Sequence, residues 1–207
     1  MTALGLAVPS SEPYPWPYDE AAVADRTALV VVAAQEGLVP RCAAAPATLG
    51  IIAELTAAAR AWGATVVATR HAASPAQRRP GLLPRAGTAG WNLVAGIEPD
   101  CVVDAFGVDG FTGSPLAEHL AGLDVDHLLL CGLGLEGPVH STMRSANDRG
   151  LECLLVVDAC ASLDPSVADA AVRMIEMSGG IFGAVAPSSE VRRALTLTGP
   201  LSPPLEV

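Results

Sequence analysis

The sequence predicts an α/β protein: a single domain with a doubly wound, mostly parallel sheet and helices on both faces. The chain has 207 residues, which fits one compact domain with a sizeable core. Its apolar runs are short and continuous instead of alternating, which is typical of strands buried on both faces. Segments with helical spacing separate these runs, and this order indicates a parallel sheet between two layers of helices.

Six short runs are predicted as strands. Apolar residues continue from Thr27 through Ala33 without interruption, so the first strand belongs in the middle of the sheet. Val and Leu, which pack well on a pleated surface, are frequent in the other runs. The predicted strands are 27–33, 65–69, 101–103, 127–131, 152–157 and 181–185.

Five segments are predicted as helices. In the longest, Leu49, Ile52 and Leu55 recur every three residues, and Gly63 follows the last turn. Gly150 ends another helix in the same way, because glycine readily adopts the left-handed conformation that closes a helix. The predicted helices are 46–62, 115–122, 138–149, 166–178 and 188–196.

The two ends of the chain differ from the domain, which we place at 26–197. Residues 1–25 are rich in proline and aromatic residues, which predicts an extended strap over the domain or over a neighbouring subunit. A loose tail is the alternative. Residues 198–207 contain three prolines and are expected to form a second tail.

Composition excludes several classes of partner. The net charge is −10, and all 12 basic residues are arginine, so the chain has no lysine. An acidic domain without a basic stripe binds nucleic acid or an anionic membrane poorly. Five cysteines without a CxxC pair, and the lack of a signal peptide or a spanning run, predict a soluble cytoplasmic protein with reduced thiols. A hydrophobic content of 51% favours an oligomer over a monomer.

The loops after the strands are the place to seek a site. In an open parallel sheet, ligands bind outside the carboxyl ends of the strands, where the winding reverses. The loops that follow residues 33, 69, 103 and 131 are expected to meet there. Much of 72–100 has no regular pattern, and we expect this segment to cover the mouth of the crevice.

The motifs in these loops resemble those of one enzyme family. The first strand with Gln35, Thr69-Arg70-His71, the stretch from Phe111 to Leu116, and the helix from His140 to Gly150 are similar to the isochorismatase-like cysteine hydrolases. That family includes nicotinamidases, biuret hydrolases and ureidoacrylate amidohydrolases. The resemblance runs from about residue 28 to about 196 and implies a Rossmann-like three-layer sandwich. Its details are most similar to the biuret-hydrolase-like branch, which cleaves ureides.

The resemblance also implies a catalytic Asp–Lys–Cys triad, and this chain departs from it at each position. In the family the Asp deprotonates the Cys, the thiolate attacks an amide carbonyl, and the Lys supports the changes in charge. The corresponding positions carry Ala33, Ala105 and Pro138. None of these side chains transfers a proton or attacks a carbonyl. We therefore expect no catalytic residue and a degenerate triad.

Three residues near the crevice keep their family identity. Gln35 follows the first strand, and Arg70 and His71 end the second strand, so all three are pocket candidates. A structural interpretation competes with this one. In it, Arg70 pairs with a carboxylate and His71 is an orienting residue with its own hydrogen bonds.

Two further candidates flank Pro138. Glu136 precedes the predicted helix and is expected to cap its N-terminus, with a role as general base as the alternative. His140 lies on the first turn, where a structural role is favoured over a new catalytic one.

Other patterns in the chain are weaker signals. Gly132, Gly134 and Gly137 spell a dinucleotide fingerprint, which we interpret as a chance match, although an anion can bind beside Gly134 at a helix N-terminus. Cys42 is the one cysteine outside an apolar run and is a candidate for a relocated nucleophile. No spacing of His, Asp, Glu or Cys predicts a metal site, and no cofactor is implied.

Two functional hypotheses follow. The first is a non-catalytic binding, scaffold or regulatory subunit; the alternative is a hydrolase with a rebuilt active site that acts on C–N bonds of a small amide or ureide. The expected partners are a small amide, ureide or anion. A homo-oligomer, or a hetero-oligomer with a triad-complete paralogue, is also expected.

Overall fold

The computed structural model describes residues 5–74, 81 and 83–198 and has the predicted α/β architecture. Six strands form one parallel sheet in the order β3-β2-β1-β4-β5-β6, which confirms the doubly wound topology with the first strand near the centre. The strands are β1 Thr27–Val32, β2 Thr65–His71, β3 Cys101–Ala105, β4 His127–Leu133, β5 Glu152–Ala161 and β6 Ala184–Ala186. The helices are α1 Ala45–Trp62, α2 Leu116–Gly122, α3 His140–Asn147, α4 Ala168–Gly180 and α5 Ser188–Thr198.

Hydrophobic clusters cover both faces of the sheet, because side chains alternate along each strand. On one face, Val31 and Leu129 pack with residues of α1 and α5. On the other, Val30 and Leu130 pack with residues of α2, α3 and α4. All six residues of β1 are buried, as its uninterrupted apolar sequence predicts.

The boundaries differ from prediction around glycines and irregular turns. The predicted strand at 181–185 shrinks to Ala184–Ala186, since Ile181 still belongs to the turn after α4 and Gly183 has a φ of +128°. β5 continues to Ala161, past a register shift opposite β4. The helix predicted to begin at Pro138 starts earlier, with a π-helical turn at Leu135–Val139 that leads into α3.

The N-terminal segment folds back on its own domain. Leu6 forms an antiparallel bridge with Ala22, and Glu12 forms one with Val185 of β6. Trp16 is fully buried among residues of the sheet and of α1 and α5, so it cannot pack on a neighbouring subunit. Tyr18 is 71% exposed and remains available for such a contact.

The predicted C-terminal tail lies almost entirely outside the described residues. Of the predicted C-terminal tail at 198–207, residue 198 closes α5 and 199–207 lie outside the described residues. Within the described part, no helix is long and apolar enough to cross a membrane.

Candidate functional site

The three residues that the resemblance predicts at the triad positions lie at the carboxyl end of the sheet. Ala33 follows β1, Ala105 ends β3, and Pro138 belongs to the π-helical turn after β4. All three are buried, and Ala33 and Ala105 have no exposed surface. Methyl groups and a pyrrolidine ring therefore occupy these three positions, and none of them carries an acid, an amine or a thiol.

The backbone of Ala33 is unusual. Its φ is +52°, in the left-handed region, and its N–H donates to the carbonyl of Thr69 at 3.0 Å. A left-handed conformation costs an alanine about 1–2 kcal/mol, whereas Asp and Asn tolerate it better. The backbone at residue 33 thus has a conformation that Asp or Asn would adopt at a lower cost than the alanine present.

Pro138 lies inside the π-helical turn, so the prediction that it opens a helix was wrong. Gly134 precedes this turn in a left-handed conformation, and its carbonyl accepts from the N–H of Gly137 and of Val139. A Cβ at Gly134 would stand 2.8 Å from Cδ of Pro138. Pro138 has neither a thiol nor a backbone N–H to offer at this point.

Gln35 links the end of β2 to the segment around Trp91. Its Oε1 accepts from the backbone N–H of His71 at 2.7 Å, and its Nε2 donates to the carbonyls of His71 and Trp91 at 3.2 and 3.0 Å. The backbone of 34–37 also bonds to 90–94. Gln35 is fully buried, so its amide holds two chain segments together and does not face an open crevice.

His71 is also fully buried and has partners for both ring nitrogens. Its Nδ1 donates to the carbonyl of Gly107 at 3.1 Å, so the Nε2 accepts from the hydroxyl of Thr69 at 2.8 Å. Burial lowers the pKa of His71 to about 4, although the Gly107 backbone and Asp109 oppose this shift. The ring is therefore neutral at neutral pH and serves the packing of this region.

Arg70 is held by its neighbours. Its Nε and Nη2 donate to the two carboxylate oxygens of Asp104 at 2.7 and 3.0 Å. The guanidinium carbon also lies 4.1 Å from the centre of the Trp91 ring. Arg70 is thus part of a pair between two strands, stacked on an aromatic side chain.

Glu136 does not cap the helix, so that prediction was wrong. Its carboxylate accepts from the backbone N–H of Leu163, and also from that of Asp164 at 2.7 Å. These N–H groups belong to the loop after β5, where no strand or helix would satisfy them. Gly134 occupies the cap position instead and makes no side-chain bond.

His140 is 7% exposed and lies at the start of α3. Its Nδ1 accepts from the Nε–H of Arg144 at 3.0 Å, and its Nε2 has no partner among the described residues. Because histidine and arginine are four residues apart on a helix, the spacing alone could have predicted this contact.

Two of the three glycines of the fingerprint, Gly132 and Gly134, are explained by packing. A Cβ at Gly132 would stand 1.9 Å from the carbonyl oxygen of Val32 on the adjacent strand. Gly134 has a φ of +78° beside Pro138. Close approach of the chain therefore accounts for both residues without a nucleotide.

Cys42 lies closer to the turn around Pro138 than its sequence position suggests. It is 1% exposed, and burial raises the pKa of its thiol, while the Gly134 backbone and Arg41 lower it and the Glu136 carboxylate raises it. The structure thus brings Cys42 to the turn that contains Pro138, a long-range approach that no local pattern signals.

Two grooves on the described surface include neither Ala33, Ala105 nor Pro138. A groove of about 830 Å³ at the amino ends of β1 and β4 is lined by Arg26, Asp124 and Asp126 and includes none of the predicted site residues. A second groove, of about 530 Å³, contains Glu136 and His140 and lies between α3 and α4. No group of three or more potential metal ligands occurs among the residues that the structure describes.

The sequence of residues 27–187, more than half of the chain, matches the family model of the isochorismatase domain. The chain belongs to the isochorismatase family. This isochorismatase-family chain is 33% identical over 159 residues to the streptothricin hydrolase of Streptomyces noursei. The aligned part covers 72% of this chain and 61% of the relative, which is less than two thirds of that enzyme's length.

Solved structures of the isochorismatase family share the fold. A cysteine hydrolase from Pseudomonas syringae pv. phaseolicola has a TM-score of 0.74 at 22% identity, covering 84% of this chain and 94% of that one. An isochorismatase family protein from Desulfovibrio vulgaris has a TM-score of 0.70 at 24% identity, covering 83% and 98%. At these identities the likeness shows the fold alone. Placement in the biuret-hydrolase-like branch stays a prediction.

Proposed function

We propose that this isochorismatase-family protein works by binding, as a scaffold or regulatory subunit, and not by cysteine-dependent hydrolysis. The observation that carries the proposal is the identity and burial of Ala33, Ala105 and Pro138. Covalent amide hydrolysis needs a nucleophile and a base within hydrogen-bond reach of one another. These three side chains provide neither, and the chain contains no lysine that a different register could supply.

A second function has its own support. The similarity to streptothricin hydrolase, and membership of a family of hydrolases, favour hydrolysis of a C–N bond in a small amide or ureide by a rebuilt site. Cys42 is the candidate nucleophile, because it lies beside Gly134 in the turn of Pro138. The comparisons favour this second function, whereas the buried, protonated state of Cys42 favours the first.

Restoring the triad separates the two functions. We expect purified wild-type protein to release no ammonia from biuret, nicotinamide or a ureidoacrylate. We expect the triple variant Ala33→Asp, Ala105→Lys, Pro138→Cys to acquire slow hydrolysis that iodoacetamide abolishes. Wild-type turnover within the ordinary range of roughly 1–1,000 per second, lost on alkylation and in Cys42→Ser, would establish the rebuilt enzyme instead. Cys153→Ser is the matched control for that variant.

A subunit that works by binding also needs a partner. We propose a homo-oligomer or a hetero-oligomer with a triad-complete relative, together with a small amide, ureide or anion as ligand. Sedimentation of the 21.0 kDa chain, alone and mixed with such a relative, tests the assembly. Tyr18→Ser, which alters an exposed ring and leaves the buried Trp16 in place, tests whether the N-terminal segment takes part. A monomer under both conditions contradicts the subunit proposal.

A further inference from the structure

A groove of about 530 Å³ runs between α3 and α4, and none of the triad positions lines it. Polar and charged side chains come from the α3 side, and apolar side chains come from the α4 side. We call this feature the α3–α4 groove; its principal lining residues are Glu136, His140, Ser141, Arg144, Val167 and Met174.

His140 presents an unused donor in this groove. Its Nδ1 accepts from Arg144, so the proton of the neutral ring is on Nε2. That Nε2 is buried and has no hydrogen-bond partner among the described residues. Burial lowers the pKa of His140 and the Arg144 cation lowers it further. A contact with the Ala171 backbone, which falls short of hydrogen-bond geometry, opposes them, so the ring is neutral at neutral pH. A buried donor without an acceptor is costly and indicates a missing partner.

Arg144 is a second donor, and it is already positioned. Its guanidinium carbon lies 4.1 Å from the centre of the Phe182 ring, and its Nε is bonded to His140. No carboxylate of the described residues forms an ion pair with it. A planar guanidinium with unused N–H groups is well suited to hold a carboxylate.

The opposite wall is apolar and open to solvent. Val167 is 38% exposed and Met174 is 45% exposed, and both line the α3–α4 groove. The carboxylate of Glu136, which also lines the groove, accepts hydrogen bonds from the backbone N–H groups of Leu163 and Asp164 in the loop after β5. Its charge is thus engaged by the backbone, and Arg144 supplies the positive charge among the residues that line the groove.

We propose that the α3–α4 groove binds a small monocarboxylate with a short apolar or aromatic body. The ligand's carboxylate accepts hydrogen bonds from Nε2–H of His140 and from the guanidinium of Arg144. Its apolar body lies against Val167 and Met174, whose exposed surface it removes from water. This site goes beyond the proposed function, because it requires neither the presence nor the absence of catalysis.

Titration with benzoate tests the site, with benzamide as its neutral counterpart. We expect benzoate to bind the full chain with a Kd of about 1 mM, as its few atoms and one charged contact allow. We expect benzamide to bind at least about tenfold more weakly, because it lacks the charge that Arg144 recognises. The imidazole Nε2–H resonance of His140 should shift during the benzoate titration. Equal binding of the two probes, or no binding of benzoate at about 20 mM, overturns the proposal.

Paired arginine variants locate the site. Arg144→Gln should weaken benzoate binding about tenfold or more, and Arg144→Lys should give an intermediate loss, because it keeps the charge without the planar fork. Arg173→Gln makes the same change of charge at an exposed position of α4 outside the groove and should bind as wild type does. Circular dichroism verifies that each variant is folded. Equal losses in Arg144→Gln and Arg173→Gln would mean a general charge effect and would contradict a site in the α3–α4 groove.

Discussion

Arg70 on β2 and Asp104 on β3 are direct neighbours across the sheet and share two hydrogen bonds, at 2.7 and 3.0 Å. The pair lies beside the buried Ala105 and His71, where its family position had suggested a ligand contact. The geometry instead gives Arg70 a local partner on each side, Asp104 and the ring of Trp91.

A double-mutant cycle measures this pair. Both side chains are partly exposed, so we expect a coupling free energy of only about 0.5–1 kcal/mol between Arg70→Ala and Asp104→Ala in urea unfolding. Arg70→Lys should lose most of the coupling, since it cannot bond both carboxylate oxygens. A coupling near zero would mean that the stacking on Trp91 alone holds Arg70 in place.

The left-handed backbone of Ala33 predicts an unusual glycine effect. Ala33→Gly should destabilise the protein about 1–2 kcal/mol less than Ala34→Gly, because glycine removes the strain at residue 33 only. Both alanines are fully buried, so the loss of a methyl group is the same in each variant. The comparison is made by urea unfolding at one pH. Equal losses would show that residue 33 is unstrained.

Stability should fall in weak acid because of His71. The folded pKa of about 4 lies below the unfolded value of 6.5, so the unfolded chain takes up the proton first as the pH falls. The contribution of His71 is complete above pH 6.5 and is lost progressively down to about pH 4, by about 3 kcal/mol in total. His71→Asn should show a correspondingly smaller drop across this range. His140, whose pKa is also lowered, adds to the same trend in both proteins, so parallel curves would contradict the role of His71.

Two glycine substitutions should differ sharply. Gly132→Ala places a Cβ 1.9 Å from the carbonyl oxygen of Val32, and backbone of the central strand cannot move aside. We expect loss of folding, or destabilisation of more than about 4 kcal/mol. Gly150 has a φ of +80°, and a Cβ added there would have no neighbour within 4 Å. Gly150→Ala should therefore lower the free energy of unfolding by only about 1 kcal/mol. Thermal unfolding compares the two, and similar melting temperatures would remove the packing explanation of Gly132.

Thiol reactivity should be confined to one residue. Burial raises the pKa of Cys42, Cys131 and Cys153, and it raises that of Cys160 to about 12, so none of these is a thiolate at neutral pH. Cys101 and Cys160 are both half-buried, and the raised pKa of Cys160 makes Cys101, on the edge strand, the more reactive of the two. We expect DTNB to label about one thiol in the native protein and none in Cys101→Ser. Fast labelling of Cys42 would instead support the rebuilt hydrolase.

The fold could be predicted because its signals are local. The apolar run before Ala33 marks a central strand, and Gly63 and Gly150 end their helices in the left-handed conformation that their positions suggested. The site was less predictable, since its contacts join distant segments. Glu136 reaches a loop 27 residues away, and Cys42 approaches a turn more than 90 residues away. Neither contact leaves a periodic pattern in the sequence.

The bridge between Glu12 and Val185 has a consequence for how copies of the chain can meet. It closes the β6 margin with two backbone hydrogen bonds, at 3.0 and 2.8 Å, while no described segment pairs with the outer side of β3. Fibre growth requires a sheet that can pair with further copies at both edges. A sheet with only one unpaired edge can pair with a copy at that edge alone. If two molecules paired through their β3 strands, the pairing would occupy the remaining unpaired edge of each described sheet. Backbone-mediated association would therefore stop at a pair.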